Sequence, residues 1–252
     1  MSRALDHLVI AHRDLGATAE RYRSLGFQVG PRNRHPWGTE NHIVQFDGVF
    51  LELIGLGEGF RPPAPDDPVF PFAGFLGGFL ARREGLAMVV LRSADAEADR
   101  RAFAAQNLGD LPRFDFARKG VRAGREVEVA FSLAFARSPA LPEAGFFTCQ
   151  QKFPENFWDA AAQVHPNGAT GVAELAFVHS EPETARGFLS GFLAAQAQPA
   201  AGGFSFALPN ARVTCLTPAA YAADWGATAP PGAGWAAMRI ATGAGALALT
   251  GA

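Results

Sequence analysis

Leu5-Asp6-His7-Leu8-Val9-Ile10 and Phe50-Leu51-Glu52-Leu53-Ile54 are the two stretches whose reading decides the fold. Each is a short apolar run with strand character, and each carries ionisable residues among hydrophobic neighbours. Burying such a group costs roughly 1–3 kcal/mol unless something pairs with it. His7 in the first run and Glu52 in the second therefore mark a candidate metal or substrate site. Between them Asp14 is placed to cap a helix with apolar face Leu15, Ala19, Tyr22 and Leu25, stopped by Gly26. Extended segments are predicted around 28–32, 41–46 and 49–54. Asp47-Gly48 joins the last two as a tight hairpin.

The same order of elements recurs. A second strand begins at Leu86-Ala87-Met88-Val89-Val90-Leu91, followed by a helix over 95–106 that stops near Gly109. Strands around 113–117, 126–135 and 146–150 complete that unit. A third begins at Val172-Ala173-Glu174-Leu175-Ala176-Phe177-Val178. There Ser180 and Glu183 have capping-box spacing, and Phe188, Leu189, Phe192 and Leu193 form a helical stripe. Strands near 204–208, 212–216 and 235–240 follow less regularly, and 243–249 reads as a final strand or a frayed end. Such self-similarity organises the whole chain. The expected plan is a first β-α-β-β-β module over 1–60, a Pro/Phe-rich connector over 61–84 and a second module over 85–153. A connecting loop over 154–170 and a third, less regular module over 171–252 complete it.

Composition narrows the function. With 252 residues and 48% hydrophobic content the chain can bury a full core, and its net charge of −2 offers no footprint for nucleic acid. Phenylalanine, at 22 residues against 2 tyrosines, puts most aromatic mass inside. No apolar stretch is long enough to span a bilayer and no signal segment precedes the first strand, so a soluble cytoplasmic protein is expected. Cys149 and Cys215 read as isolated buried thiols. There is no Gly-x-Ser-x-Gly elbow, no Gly-x-x-x-x-Gly-Lys phosphate loop, no Cys-x-x-Cys pair and no His-Glu-x-x-His helix.

The chain resembles the vicinal oxygen chelate superfamily, which includes glyoxalase I, extradiol dioxygenases and fosfomycin-resistance proteins. Within it the chain looks like the glyoxalase-like group. The resemblance is carried by Leu5-Asp6-His7-Leu8-Val9, Leu25-Gly26-Phe27, His35-Pro36-Trp37-Gly38-Thr39, Phe50-Leu51-Glu52-Leu53 and His165-Pro166-Asn167-Gly168-Ala169. It implies an α+β fold of the glyoxalase/bleomycin-resistance/dioxygenase type, in which repeated β-α-β-β-β modules form curved mixed sheets. It also implies a cup between modules that holds a divalent metal (Zn, Fe, Mn or Ni) and substrate oxygens, although some members have lost the metal. A homodimer and a self-sufficient monomer are both compatible with modules of this kind.

Strand alternation assigns faces. Phe50, Glu52 and Ile54 share the cavity face of their strand, opposite Leu51 and Leu53; Leu5, His7 and Val9 share a face opposite Leu8 and Ile10. Aligning the first strands by their helix starts sets His7 against Ala87 and Glu174. If units one and two form the cup, Ala87 offers no ligand, and Glu52 is joined only by neutral side chains such as Gln150, Gln151 or Cys149. If units one and three pair, His7, Glu52 and Glu174 converge as a metal set. Sequential pairing follows the general preference for neighbours in sequence to pack together. Each of these residues also has a plainer reading as a salt-bridged or core-satisfied group.

The two His-Pro loops are the densest polar-aromatic segments. In the functional reading Glu52, His35 and His165 transfer protons or clamp substrate, with Trp37 as an apolar wall and Asn41, Gln150 and Asn167 as substrate-binding amides. In the structural reading the same loop residues stabilise turns. Arg32 and Arg34 flank the first loop, and the connector with Phe72, Phe75, Phe79 and Leu80 forms a lid, an interface or a buried link. The expected function is a glyoxalase-like protein that binds a small oxygen-rich molecule, as a metal-dependent lyase/isomerase or dioxygenase. The alternative is a metal-free binding or resistance protein; a purely structural interaction module is a third reading.

Overall fold

Strands with apolar residues on both faces need cover on both sides, and the repeated units supply it. In the computed structural model, which describes residues 2–122 and 125–250, the first unit is β1 (Leu5–Ala11), α1 (Leu15–Ser24), β2 (Asn33–Arg34), β3 (Thr39–Phe46) and β4 (Val49–Leu56). A π-helical turn at Phe70–Gly74 runs into α2 (Phe75–Arg82). The second unit is β5 (Gly85–Arg92), α3 (Ala96–Ala105), β6 (Phe114–Arg122), β7 (Arg125–Ala136) and β8 (Gly145–Gln151). A short α4 (Pro154–Phe157) and a 3-10 turn at Ala160–Gln163 lead to the third. It consists of β9 (Ala169–Val178), α5 (Pro182–Leu193), β10 (Gln198–Ala200), β11 (Gly203–Ala207) and β12 (Arg212–Leu216). Then come α6 (Pro218–Trp225), β13 (Gly234–Thr242) and β14 (Gly245–Thr250).

The fold is mixed α+β with two curved mixed sheets, the larger a half-barrel. That 8-stranded sheet runs β2-β3-β4-β1-β5-β8-β7-β6 and joins units one and two. The 6-stranded sheet runs β10-β11-β12-β9-β13-β14. In every unit the first and last strands pair in parallel, β1 with β4, β5 with β8 and β9 with β12. The two halves of each sheet meet at an antiparallel pair, β1 with β5 and β9 with β13. Units one and two therefore share a sheet, and unit three is completed by β13 and β14.

One core lies between the sheets, with α1, α3 and α5 buried in it. Phe146 of β8 is its junction, with ring centroids 4.8 Å from Phe188, 5.2 Å from Phe192 and 5.6 Å from Trp235. Full burial of a Phe side chain contributes about 1.5–3 kcal/mol, so this contact ties the two sheets firmly. A second core lines the inner face of the large sheet. There α2 buries Leu76, Phe79 and Leu80 against Val9, Ala11, Ala87 and Val90. The connector is thus buried from Val69 to Leu80 against the inner face of the half-barrel, while 61–68 lie mostly exposed. In the small sheet Tyr221 and Trp225 of α6 cover the equivalent face.

Three local expectations are corrected. Ser180 does not cap α5, because Pro182 takes the first helical position and makes Glu181 the flanking residue. The stretch 28–32 is not a strand; the two-residue β2 follows it. Leu5 does not share a face with His7. The β1–β5 ladder shifts register between Leu5 and His7, so Leu5 joins Leu8 and Ile10 in the inter-sheet core. That bulge re-aims the residues at His7.

Candidate functional site

The inner face of the large sheet also holds a half-open cavity with about 50 Å³ of room for water-sized guests. Strands supply most of its lining: His7 from β1, Asn41 and Ile43 from β3, Phe50 and Glu52 from β4, Phe116 and Arg118 from β6, Phe131 and Leu133 from β7, Phe147 and Cys149 from β8. His35 and Trp37 enter from the β2–β3 loop, Phe72 from the π-helical turn and Phe157 from α4.

A carboxylate between two imidazoles forms its polar centre. Glu52 Oε2 is 4.0 Å from His7 Nε2, and Glu52 Oε1 is 3.7 Å from His35 Nε2. All three residues are buried. Asn41 Nδ2 donates to Glu52 Oε1 at 2.5 Å, which compensates part of the cost of burying the charge. His7 is held on two sides: its Nδ1 lies 2.7 Å from Asp6 Oδ1, and its ring stacks on Phe50 at 4.3 Å. The Asp6 bond puts the Nδ1 proton on the carboxylate side, so the Nε2 lone pair faces the cavity. His35 is held likewise, its Nδ1 2.8 Å from Thr39 Oγ1 and its ring stacked on Trp37 at 4.7 Å. Burial pushes its pKa below the usual imidazole range, against the pull of Glu52, and keeps it neutral at pH 7.

A second polar thread enters from the sheet edges. Arg118 donates to Asn33 Oδ1 at 3.4 Å and Asn33 Nδ2 to Asn41 Oδ1 at 3.2 Å, and Asn41 reaches Glu52. Two amides therefore link a guanidinium to the central carboxylate.

The glyoxalase-like domain model matches residues 5–193. The chain belongs to the glyoxalase-like domain family. No curated protein matched the sequence. Among solved structures, a hypothetical protein from Staphylococcus aureus superposes with TM-score 0.65 at 11% identity, covering 85% of this chain and 86% of that one. A xylose isomerase-like TIM barrel/4-hydroxyphenylpyruvate dioxygenase fusion protein gives TM-score 0.53 at 15% identity, covering 95% of this chain and 36% of that one. Methylmalonyl-CoA epimerase from Streptomyces coelicolor gives TM-score 0.41 at 21% identity, over 60% of this chain and 99% of that one. At these identities the likeness is one of fold. Among the described residues of this glyoxalase-like chain no helix is long and apolar enough to cross a membrane.

Of the residues expected at the site, the structure brings His7, His35, Trp37, Asn41 and Glu52 to one cavity. Glu174 lies elsewhere, in the small sheet, where it pairs with Arg239. It does not converge with His7 and Glu52, because β9 pairs with β12 and β13 and not with unit one. His165 is a structural tie: its Nδ1 accepts from Gln28 N at 2.9 Å and its Nε2 donates to Gln45 O at 2.7 Å. Asn167 likewise donates to Leu25 O at 2.8 Å and accepts from Ala169 N at 3.0 Å. Gln150 points the other way, bonding Ala96 N and Ala94 O at the start of α3.

The donor set decides how well a divalent metal fits this glyoxalase-like site. Among the described residues one group, Asp6, His7 and Cys149, brings three donor atoms within 4.8 Å of one another. In it the His7 Nδ1 is already bonded to Asp6. Burial, reinforced by Asp6 and Glu52, pushes the Cys149 thiol well above its ordinary range, whereas binding a metal requires the thiolate. His7 Nε2, Glu52 and His35 Nε2 are three further donors, but they do not all lie within 4.8 Å of one another, and the neighbours of β1 on the second unit, Val90 and Phe147, supply none. This arrangement does not fit a resident divalent ion.

Arg118, Asp6 and the phenylalanines of β6 and β7 are functional candidates that the sequence reading missed. The signal for Arg118 is the alternation Phe114, Phe116, Arg118, which sets the cation on the same strand face as two aromatic rings.

Proposed function

We propose that this glyoxalase-like protein is a proton-transfer enzyme of the isomerase or lyase kind, acting on a small oxygen-bearing molecule without a resident metal. The observation that carries this is the Glu52 carboxylate set between His7 Nε2 and His35 Nε2 in an aromatic cavity. In this reading Glu52 removes a proton from a carbon next to a carbonyl. His7 Nε2, whose lone pair faces the cavity, takes the proton of the neighbouring hydroxyl and hands it to the developing oxyanion, and Glu52 returns its proton to the adjacent carbon. Asp6 holds His7 in the tautomer that leaves Nε2 open, and stabilises the imidazolium when it forms. Asn41 keeps the carboxylate aimed into the cavity. The fold relationship to a dioxygenase fusion protein fixes no reaction, since one fold hosts many chemistries.

The test incubates the protein with small α-hydroxy ketones and 2-oxo acids in D2O and reads deuterium incorporation by mass spectrometry. Exchange catalysed by the wild type, unchanged by EDTA and lost in both Glu52→Gln and His7→Gln, is the expected result. Exchange that disappears with EDTA and returns with Zn²⁺, Fe²⁺, Mn²⁺ or Ni²⁺ overturns the metal-free reading. A second reading, a binding or sequestering protein, is favoured by the predominantly aromatic walls; ligand binding with no exchange supports it.

A further inference from the structure

We infer that the ligand of this cavity is a small aromatic carboxylate, its ring held among Trp37, Phe72, Phe116 and Phe131 and its carboxylate bound by Arg118. The inference rests on the reading that this cavity is the working site and adds the class of molecule it takes. Two independent observations converge on it. The first is charge. Arg118 is the cation lining the cavity, and among the described residues its hydrogen bond is the 3.4 Å contact to the neutral Asn33. Burial works against its charge, and the Glu52 carboxylate only partly offsets this. A guanidinium so placed is completed by a planar anion that accepts two parallel N–H bonds.

The second observation is the shape and polarity of the wall. Trp37 and Phe116 meet edge-to-face at 4.9 Å between centroids, and Phe116 and Phe131 lie 5.1 Å apart. Phe72 meets Trp37 at 5.8 Å. Such a corner of rings at different angles favours a flat apolar guest over an extended polar one. The Trp37 indole Nε1–H is buried without an acceptor. Leaving such a donor unpaired costs about 1–3 kcal/mol. Arg118 follows Phe116 on the same face of β6, so the ring corner and the cation are one strand step apart on that face.

The experiment titrates the wild-type protein by calorimetry with benzoate, its neutral isostere benzamide, and acetate as the anion without a ring. Benzoate is expected to bind at least tenfold more tightly than either. In Arg118→Gln benzoate should fall to the benzamide level, while benzamide is unchanged; Arg118→Lys should be intermediate. Glu52→Gln, which removes a like charge, should tighten benzoate. Benzoate binding no better than benzamide, or a preference that survives Arg118→Gln, overturns the inference, as does acetate matching benzoate. Should Arg118→Gln not fold, Arg118→Lys decides the matter: benzoate affinity undiminished in that variant overturns the inference. Benzoate binding by a protein that exchanges no deuterium into the α-hydroxy ketones and 2-oxo acids would sink the proton-transfer reading and leave this inference standing.

Discussion

His7 Nδ1 lies 2.7 Å from the carboxylate of Asp6, its own neighbour in the chain. Ordinary strand alternation sends adjacent side chains to opposite faces. The register shift between Leu5 and His7 lets the two meet. Gln151 Nε2 holds the other Asp6 oxygen at 3.2 Å, so the carboxylate is fixed at both ends.

Replacing Asp6 by Asn should release the His7 tautomer. A carboxylate that fixes an imidazole's tautomer supports its role in proton transfer, so activity should fall by at least about tenfold with KM little changed. The direct readout is ¹⁵N NMR of the His7 ring, where Nδ1-protonated imidazole in the wild type gives way to a mixture. An unchanged tautomer in Asp6→Asn removes the role assigned to Asp6.

Asn41→Leu strands the buried Glu52 carboxylate without its amide donor. Stability should drop by about 1–3 kcal/mol in urea unfolding. The double variant Asn41→Leu with Glu52→Leu should recover part of that loss, because removing both partners leaves nothing unsatisfied. A double variant as unstable as the sum of the singles would show that the bond carries no coupling.

Gly26 has φ +82°, and a Cβ there would lie 2.8 Å from Asn167 Cβ. The Asn167 loop is pinned to this turn through Gly26 O and Leu25 O. Gly26→Ala should therefore cost about 1–3 kcal/mol through strain and displacement of that loop. A change below about 0.5 kcal/mol would be a surface-like effect and would contradict the contact.

Acid should destabilise the fold early. Burial holds His12, His35 and His165 below the ordinary imidazole range. A folded pKa below the unfolded value means that the unfolded chain takes up more protons. The stability is then full above about pH 6.5 and is lost as pH falls from there through the folded values. In His165 both ring nitrogens are already used, and protonation would set a second N–H against the Gln28 amide. The melting temperature should fall between about pH 7 and pH 5, and His165→Gln should flatten part of that fall. A flat profile over this range contradicts the assignment.

Glu174→Gln offers a contrast. It breaks the half-buried pair with Arg239 and should cost about 1–3 kcal/mol. Benzoate affinity should stay within twofold of wild type, because the small sheet contributes nothing to the cavity lining. A tenfold loss of affinity would mean that the two sheets share one site.

The fold was legible because period-two strands, capped helices and glycine stops repeat with little variation. The family resemblance rests on residues that lie in or beside β1, β4 and the His-Pro loops. His7 and Glu52 stood out as ionisable groups inside apolar runs, and the structure sets them 4.0 Å apart. Asp6 was hidden because a bulge is a departure from alternation that no single residue announces. Arg118 was hidden because its strand is half-exposed, so a cation there looks like ordinary surface charge until the barrel curls over it. His165 and Gln150 carried the right chemistry in the wrong place. Their partners are backbone groups of distant elements, a relationship invisible to local pattern.

The contact between Arg118 and Asn33 joins β6 to β2, and these are the two outermost strands of the large sheet. The half-barrel is therefore latched lip to lip by the guanidinium that the ligand needs. That contact uses one of the five guanidinium N–H groups, which leaves the others to an anion, so a ligand held by Arg118 would be anchored to the same residue that fastens the rim.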